Sequence, residues 1–230
     1  MTGRRPIVAI DGPAGAGKST IARTVAERLG YVYVDTGAMY RSVAWKSLQE
    51  DVPLSDADGI SALARSMTIR FARNDGQRVY ADDTDVTEAI RAPQVTQLSS
   101  PVSAISGVRR RLVEMQREMG ANGGVVMEGR DIGTVVFPDA EVKVFLSASP
   151  EERARRRHRE LAEKGIPASL EDLTAQMRER DIRDSTREDS PLKQAQDATL
   201  IDTDGMTINE VVDAVIELWT KKVETCSSTG

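Results

Sequence analysis

The stretch that most restricts this chain runs from residue 7 to residue 30. Ile7–Asp11 (I-V-A-I-D) is a short apolar run ending at a glycine, the pattern of a buried parallel strand. Ser19–Leu29 carries apolar residues at helical spacing and stops at Gly30, a good C-terminal cap. Between them, Gly12-Pro13-Ala14-Gly15-Ala16-Gly17-Lys18-Ser19 matches G-x-x-x-x-G-K-[ST] in the strand-to-helix context that motif requires. The glycines let backbone N–H groups curl around an anion, and the helix N-terminus adds its dipole. Lys18 can reach the β- and γ-phosphates, and the Ser19 hydroxyl can hold Mg²⁺. Gly12 through Thr20 are therefore expected to bind a nucleoside triphosphate. The loop does not say what becomes of the γ-phosphate.

The rest of the chain repeats the strand-then-helix rhythm. Tyr31–Asp35 reads as a strand and Gly37–Gln49 as a helix, and Val125–Glu128, Val142–Leu146 and Thr199–Asp202 supply three more short buried strands. That alternation predicts an α/β fold, a parallel sheet flanked by helices. Two stretches depart from it. Met67–Val86 reads as short antiparallel strands, with N-D-G at 74–76 as the hairpin turn. Ser149–Gly165 opens on a capping box (S-P-E-E) and carries an arginine-rich helix, with a fresh start at Ser169. A last helix begins at T-I-N-E, 207–210, and its stripe of Ile208, Val211, Val212, Val215, Ile216 and Trp219 is expected in the core.

Three fates for the γ-phosphate belong to different functional classes. A GTPase switch needs a guanine-reading N-K-x-D, which the sequence lacks. A motor ATPase needs a clear acidic second motif, usually with oligomer-facing arginines. A phosphotransferase needs a second anion site and a means of excluding water. Charge bears on the choice. The net charge of −5 argues against general nucleic-acid binding. Arginines nonetheless cluster at 109–111, 153–159 and 180–187, which suits small anionic ligands, although any one cluster alone reads as a solvated helix face. No stretch approaches the roughly 20 apolar residues that span a bilayer, and the start M-T-G-R-R-P has no apolar signal region. The one cysteine, Cys226, leaves neither a disulfide framework nor a cysteine metal site. A cytoplasmic monomer is expected, without nucleic-acid or membrane partners.

The second anion site has its own signature. Residues 125–137, V-V-M-E-G-R-D-I-G-T-V-V-F, set Glu128, Arg130 and Asp131 between two apolar runs. Buried charge is costly unless it is paired or has a ligand to meet. Strand ends on one edge of an open parallel sheet are where ligands bind, and E-G-R-D emerges at such an end. Asp35-Thr-Gly-Ala-Met-Tyr40-Arg41 ends the second strand on the same edge, with Arg41 a natural fork for a phosphate. Arg180, Asp184 and Arg187 are spaced i, i+4, i+7 on a predicted helix and so share one face. Singly, each reads as well as a surface ion pair. Together they repeat one theme, arginine beside carboxylate near a phosphate loop.

At this point the sequence resembles the bacterial cytidylate kinases of the nucleoside monophosphate kinase family. The likeness rests on I-D-G-P-A-G-A-G-K-S-T, D-T-G-A-M-Y-R, E-G-R-D-I-G-T-V-V-F-P-D-A and the R-D-x-R-D-x-x-R pattern at 180–187, and it spans most of the chain. It implies a P-loop core (1–35, 99–148 and 168–230), a small antiparallel-sheet insertion that binds the nucleoside monophosphate (36–98), and a short helical lid (149–167). It further implies that Ser100, Arg109 and Asp131 read the cytosine with Arg187 close by. Thr36, Arg180 and Asp184 would meet the sugar, and Tyr40, Arg41 and Arg130 the acceptor phosphate. Lid arginines would close over the phosphates. Five cannot all face inward from one helix, and Arg153 and Arg157 are the expected contacts. Two departures stand out: many relatives place serine at Thr36 and aspartate at Glu128, and both swaps keep the functional group.

The chemistry makes sense of those assignments. Cytosine presents an amino donor where uracil presents a carbonyl acceptor. A carboxylate such as Asp131 accepts from the first and repels the second, and a hydrogen-bonding site discriminates better than an apolar pocket. Phosphoryl transfer needs in-line placement, Mg²⁺ and positive charge on the moving group. Lys18 and Arg130 are the expected catalytic cations, and Mg²⁺ is expected on Ser19 with Glu128 acting through a water. No dedicated general base is needed. The expected reaction is transfer from ATP to CMP or dCMP. Rivals are a kinase of the same fold acting on UMP, AMP or a small hydroxyl compound, and a non-catalytic nucleotide-binding regulator. His158, the single histidine, is expected to be an exposed lid residue.

Overall fold

The structure, a computed structural model, describes residues 4–73 and 77–227. The chain divides into two compact units, Met1–Tyr33 with Gly120–Gly230, and Val34–Met119. The first unit opens with β1 (Arg5–Asp11), whose last five residues are all buried, as an apolar run covered on both faces must be. The loop follows, then α1 (Lys18–Leu29), which buries Ile21, Ala22, Val25 and Ala26 at helical spacing. Gly30 ends it, and the Tyr31 N–H reaches back to the Ala26 carbonyl at 2.8 Å. The chain then enters β2 (Val32–Asp35) and crosses into the second unit.

Within the second unit, Asp35 caps α2 (Thr36–Gln49) by accepting the Ala38 N–H at 2.9 Å. Asp56 does the same for α3 (Ala57–Ser66), accepting from Gly59 at 2.8 Å. A three-stranded antiparallel sheet follows, β3 (Ile69–Arg73), β4 (Gln77–Ala81) and β5 (Thr84–Asp85), with Phe71 opposite Val79. The expected turn at 74–76 lies outside the described residues. A 3₁₀ turn at Ala89–Arg91 leads to α4 (Pro93–Ser103) and α5 (Ser106–Gly120). This unit runs further than an insertion ending at residue 98. The reason is packing. α4 lies along α2, and a Cβ on Gly107 at the start of α5 would sit 2.3 Å from the Ser61 hydroxyl of α3.

Back in the first unit come β6 (Gly123–Gly129), a π-helical turn at Ile132–Val136, β7 (Val142–Ser147), α6 (Pro150–Glu163), α7 (Leu170–Thr186), β8 (Thr199–Asp202) and α8 (Ile208–Ser227). The five-stranded sheet has the order β2-β6-β1-β7-β8 and is parallel across β6, β1, β7 and β8. Asp11 pairs in register with Gly129, so the phosphate loop and E-G-R-D leave the sheet at the same edge. On one face, Val8, Ile10, Val126, Val144 and Leu146 pack with Ile21 and Val25 of α1 and with Val211, Val212 and Val215 of α8. The α8 stripe needs one correction. Ile208 is 54 % exposed, because it stands on the first turn and faces away from this core, whereas Ile216 and Trp219 pack against it. Among the described residues, no helix is long and apolar enough to cross a membrane.

Candidate active site

The loop's shape follows from its glycines. Gly12 has φ +148, and a Cβ there would sit 2.1 Å from the Leu146 carbonyl oxygen of β7. Lys18 opens α1 and is 6 % exposed, and its Nζ donates to the Pro13 carbonyl at 2.7 Å. No carboxylate lies within ion-pair distance of it among the described residues. Burial, then the neighbouring Arg130, lowers its pKa to about 7, with Arg180 adding and Glu128 opposing. Ser19 and Thr20 are exposed beside it. The loop lines a cleft of about 590 Å³ whose far walls are Glu152, Arg156 and Arg159 of α6 with Thr203, Met206, Thr207 and Ile208. That size suits a nucleotide.

At the end of β6, the Glu128 carboxylate is buried and accepts the Tyr33 hydroxyl at 2.5 Å. Arg130 donates from Nε to Asp184 of α7 at 2.9 Å and from Nη1 to the Gly129 carbonyl at 3.2 Å. Burial alone would raise the Asp184 carboxyl, but Arg130, Arg180 and Arg187 together outweigh it and hold the pKa below its ordinary value. Arg187 stands one residue past α7 rather than inside it. From there its Nε donates to the Ser190 carbonyl at 2.6 Å, and its Nη2 lies 3.8 Å from the buried Asp131 carboxylate. Lys18, Glu128, Arg130, Asp131, Arg180, Asp184 and Arg187 are thus brought together in the first unit.

The second unit gathers the others. Thr36 is buried at the start of α2, and Asp35 accepts from Arg41 Nη2 at 2.9 Å. The Arg41 Nε is buried with no hydrogen-bond partner among the described residues, a donor left for something outside the chain. Arg109 of α5 lies over the Tyr40 ring at 5.6 Å and donates from Nη1 to the Ser103 carbonyl at 3.1 Å. Ser100 is buried on α4, and its carbonyl accepts the Ser103 hydroxyl at 2.7 Å.

The arginines of α6 sort by the way the helix docks. Arg153 is 2 % exposed and turned under the loop, where it bonds the Ala14 carbonyl. Arg157 is exposed and donates to Glu160 at 3.0 Å. Arg156 and Arg159 are the ones that face the cleft, Arg156 being fixed by Thr203, whose hydroxyl and carbonyl it reaches at 3.1 and 2.7 Å. His158 is exposed, as expected.

Sequence reasoning passed over two further groups. Asp11 is buried, and its two oxygens accept the Ile132 and Gly133 N–H groups at 2.8 and 2.7 Å, which pins the turn after Asp131 to the loop's own strand. Burial raises its pKa to about 6 against those two bonds. A carboxylate closing an otherwise apolar strand was the signal, since it must find a partner. Tyr33, the support of Glu128, had none beyond its place in a strand. For a divalent ion, the residues expected from the sequence are both in the first unit, the Ser19 hydroxyl exposed beside the loop and the Glu128 carboxylate buried and held by Tyr33. No cluster of three metal-ligating side chains exists among the described residues. So sparse a donor set fits Mg²⁺, which keeps waters and takes its other ligands from substrate phosphates.

Comparison with known proteins points to one family over most of the chain. A family model described as cytidylate kinase matches residues 8–221. The chain is 52 % identical over 216 residues to a cytidylate kinase of Carboxydothermus hydrogenoformans, covering 94 % of this chain and 97 % of that one. It is 51 % identical over 226 residues to a bifunctional pantoate ligase/cytidylate kinase of Synechococcus sp. (strain JA-3-3Ab), and spans only 42 % of that protein's length. Among solved structures, a shikimate kinase from Bacteroides thetaiotaomicron is similar in fold, with a TM-score of 0.50 at 14 % identity over 93 % of this chain and 97 % of that one.

Proposed function

The chain belongs to the cytidylate kinase family, and on that premise we propose that it transfers the γ-phosphate of ATP reversibly to CMP or dCMP, giving CDP or dCDP and ADP. The observation that carries this reading is the turn after β6. There a cation suited to phosphate, Arg130, is followed by a buried carboxylate suited to the cytosine amino group, Asp131, and the turn is pinned to the phosphate-loop strand by Asp11.

In this reading the loop amides and Lys18 hold the β- and γ-phosphates, and Lys18 and Arg130 place positive charge on the transferring group. Asp184 orients Arg130 through its Nε, which leaves Nη2 to meet the acceptor phosphate. In the second unit, Arg41, whose Nε has no hydrogen-bond partner among the described residues, and Tyr40 are the groups suited to a phosphate. Asp131 accepts from the cytosine amino group, with Ser100, Arg109 and Arg187 completing base recognition, while Thr36, Arg180 and Asp184 meet the sugar. Mg²⁺, held by the Ser19 hydroxyl and through water by Glu128, would neutralise phosphate charge when bound. The single cysteine, Cys226, supports a reducing compartment, the cytoplasm.

A coupled ADP-release assay over CMP, dCMP, UMP and AMP tests the proposal. CMP and dCMP should be turned over with kcat/KM at least about 100-fold above UMP. Equal turnover of UMP or AMP would refute cytosine selection. Slow ATP hydrolysis unaffected by any monophosphate would mark a regulator instead.

A further inference from the structure

Two members of the R-D-x-R-D-x-x-R pattern have no part in the account above: Arg183, which pairs with Glu179 on its own helix, and Asp181. Asp181 stands on α7 between Arg180 and Asp184, and it faces α6. Its carboxylate takes both Nη groups of Arg153 in a fork, Nη1 to Oδ1 at 2.9 Å and Nη2 to Oδ2. The same guanidinium donates from Nη1 to the Ala14 carbonyl of the phosphate loop at 3.0 Å and from Nε to the Ala148 carbonyl beyond β7 at 2.9 Å. Four of the five N–H donors of an arginine are thereby used.

Packing brings the same three elements together. A Cβ on Gly15 would lie 3.2 Å from the Arg153 Cβ and 3.7 Å from Met177 Cε, so the loop, α6 and α7 meet at one point. The contacts then run as a chain within the first unit. Ala14 of the loop is tied to Arg153, Arg153 to Asp181, and one turn further along α7 Asp184 is tied to Arg130. A rigid helix, one charge-assisted fork and one charge-assisted single bond leave little slack in such a chain.

We propose that Arg153 and Asp181 are a positioning pair that couples the phosphate loop to the acceptor-side face of α7, so that filling either site tightens the other. The proposal rests on the reading that the loop takes ATP and that this face of α7 meets the monophosphate. A loop drawn around phosphates shifts the Ala14 carbonyl, and Arg153 carries that shift to α7. Another ion pair joins the same two helices and serves as a control. Arg178 and Glu151 are 62 % and 43 % exposed and touch neither site.

The test is calorimetric titration of CMP into the full chain, with and without adenylyl imidodiphosphate and Mg²⁺. The wild type should bind CMP about tenfold more tightly when the analogue is present, and the analogue more tightly by the same factor when CMP is present. In Asp181→Asn that factor should fall to within about twofold of unity, and in Arg178→Ala it should stay at the wild-type value. Should Asp181→Asn not fold, Arg153→Lys, which keeps the charge but lacks the fork, carries the same expectation. Three results would each overturn the proposal: no coupling in the wild type, full coupling in a folded Asp181→Asn or Arg153→Lys, or equal loss in Arg178→Ala. If another monophosphate binds in place of CMP, cytosine selection fails. The coupling is then measured with that ligand and stands or falls separately.

Discussion

The phosphate loop and the E-G-R-D turn leave adjacent strands at the same sheet edge, yet they treat charge in opposite ways. The loop buries one cation, Lys18, against a backbone carbonyl, with no carboxylate within ion-pair distance of it among the described residues. The turn matches its cations with anions, Arg130 with Asp184 and Arg187 with Asp131. An uncompensated buried ammonium is a high-energy group whose need is met by any phosphate that arrives. Guanidiniums held beside carboxylates keep a fixed geometry and reward a ligand that fits it. On the proposed reading, the contrast lets one edge serve both a donor site built for phosphate in general and an acceptor site built for one nucleotide.

Removing the lone cation should give the largest effect. Lys18→Ala should lower kcat by roughly 10³ while changing CMP affinity less than about threefold, as seen by steady-state kinetics and direct CMP titration. Loss of CMP binding together with turnover would erase the distinction between the two sites. Breaking the matched pair should be milder and fall on the other substrate. Asp184→Ala should lower kcat/KM for CMP by about 30-fold or more and leave ATP affinity nearly unchanged.

A smaller effect separates lysine from arginine chemistry. With a pKa of about 7 in the empty loop, Lys18 is charged below that pH and neutral above it, and a bound triphosphate restores the proton. ATP affinity should therefore fall by about tenfold between pH 6 and pH 8. Lys18→Arg, which cannot lose its proton, should flatten the profile.

The smallest effect is on stability, where the two regions should give opposite signs. Because burial lowers the Lys18 pKa, the unfolded chain binds more protons than the folded one between about pH 7 and 10.5, so the ligand-free fold gains stability as pH rises through that range. At neutral pH Lys18→Met should accordingly raise Tm by a few degrees. Asp184 is the reverse case. Its depressed pKa stabilises the fold above the unfolded carboxyl value and is lost on acidification, so Asp184→Asn should lower Tm at neutral pH and converge with wild type in acid.

How much of this was legible in the sequence depends on whether the partner lay nearby. The loop was readable because a glycine pattern and a lysine fix a backbone shape by themselves, and the matching edge of E-G-R-D followed from its place at a strand end. Helices α3, α4 and α5 were not read, although α3 and α5 bury apolar residues at helical spacing, Ile60 and Ala64 in the first and Val108, Leu112 and Met115 in the second. V-V-F looked like resumed core and is partly a π-helical turn, held by bonds such as Phe137 N–H to the Ile132 carbonyl at 2.7 Å. Which arginine of α6 meets the cleft depends on how that helix docks, and spacing alone does not give its rotation. Arg153 was expected at phosphate for that reason and is found beneath the loop instead. Asp11 meets its partners more than 100 residues away in the chain, a distance only the register of β1 against β6 resolves.

The division of labour between the two regions is tested most directly by one ratio, kcat/KM for CMP over that for UMP, measured in three proteins. The account predicts a ratio of about 100 or more in the wild type. Lys18→Ala should show the same ratio at a far lower rate. In Asp131→Asn, whose amide can turn a donor toward uracil, the ratio should fall close to unity. A ratio that stays high in Asp131→Asn, or collapses in Lys18→Ala, would contradict it.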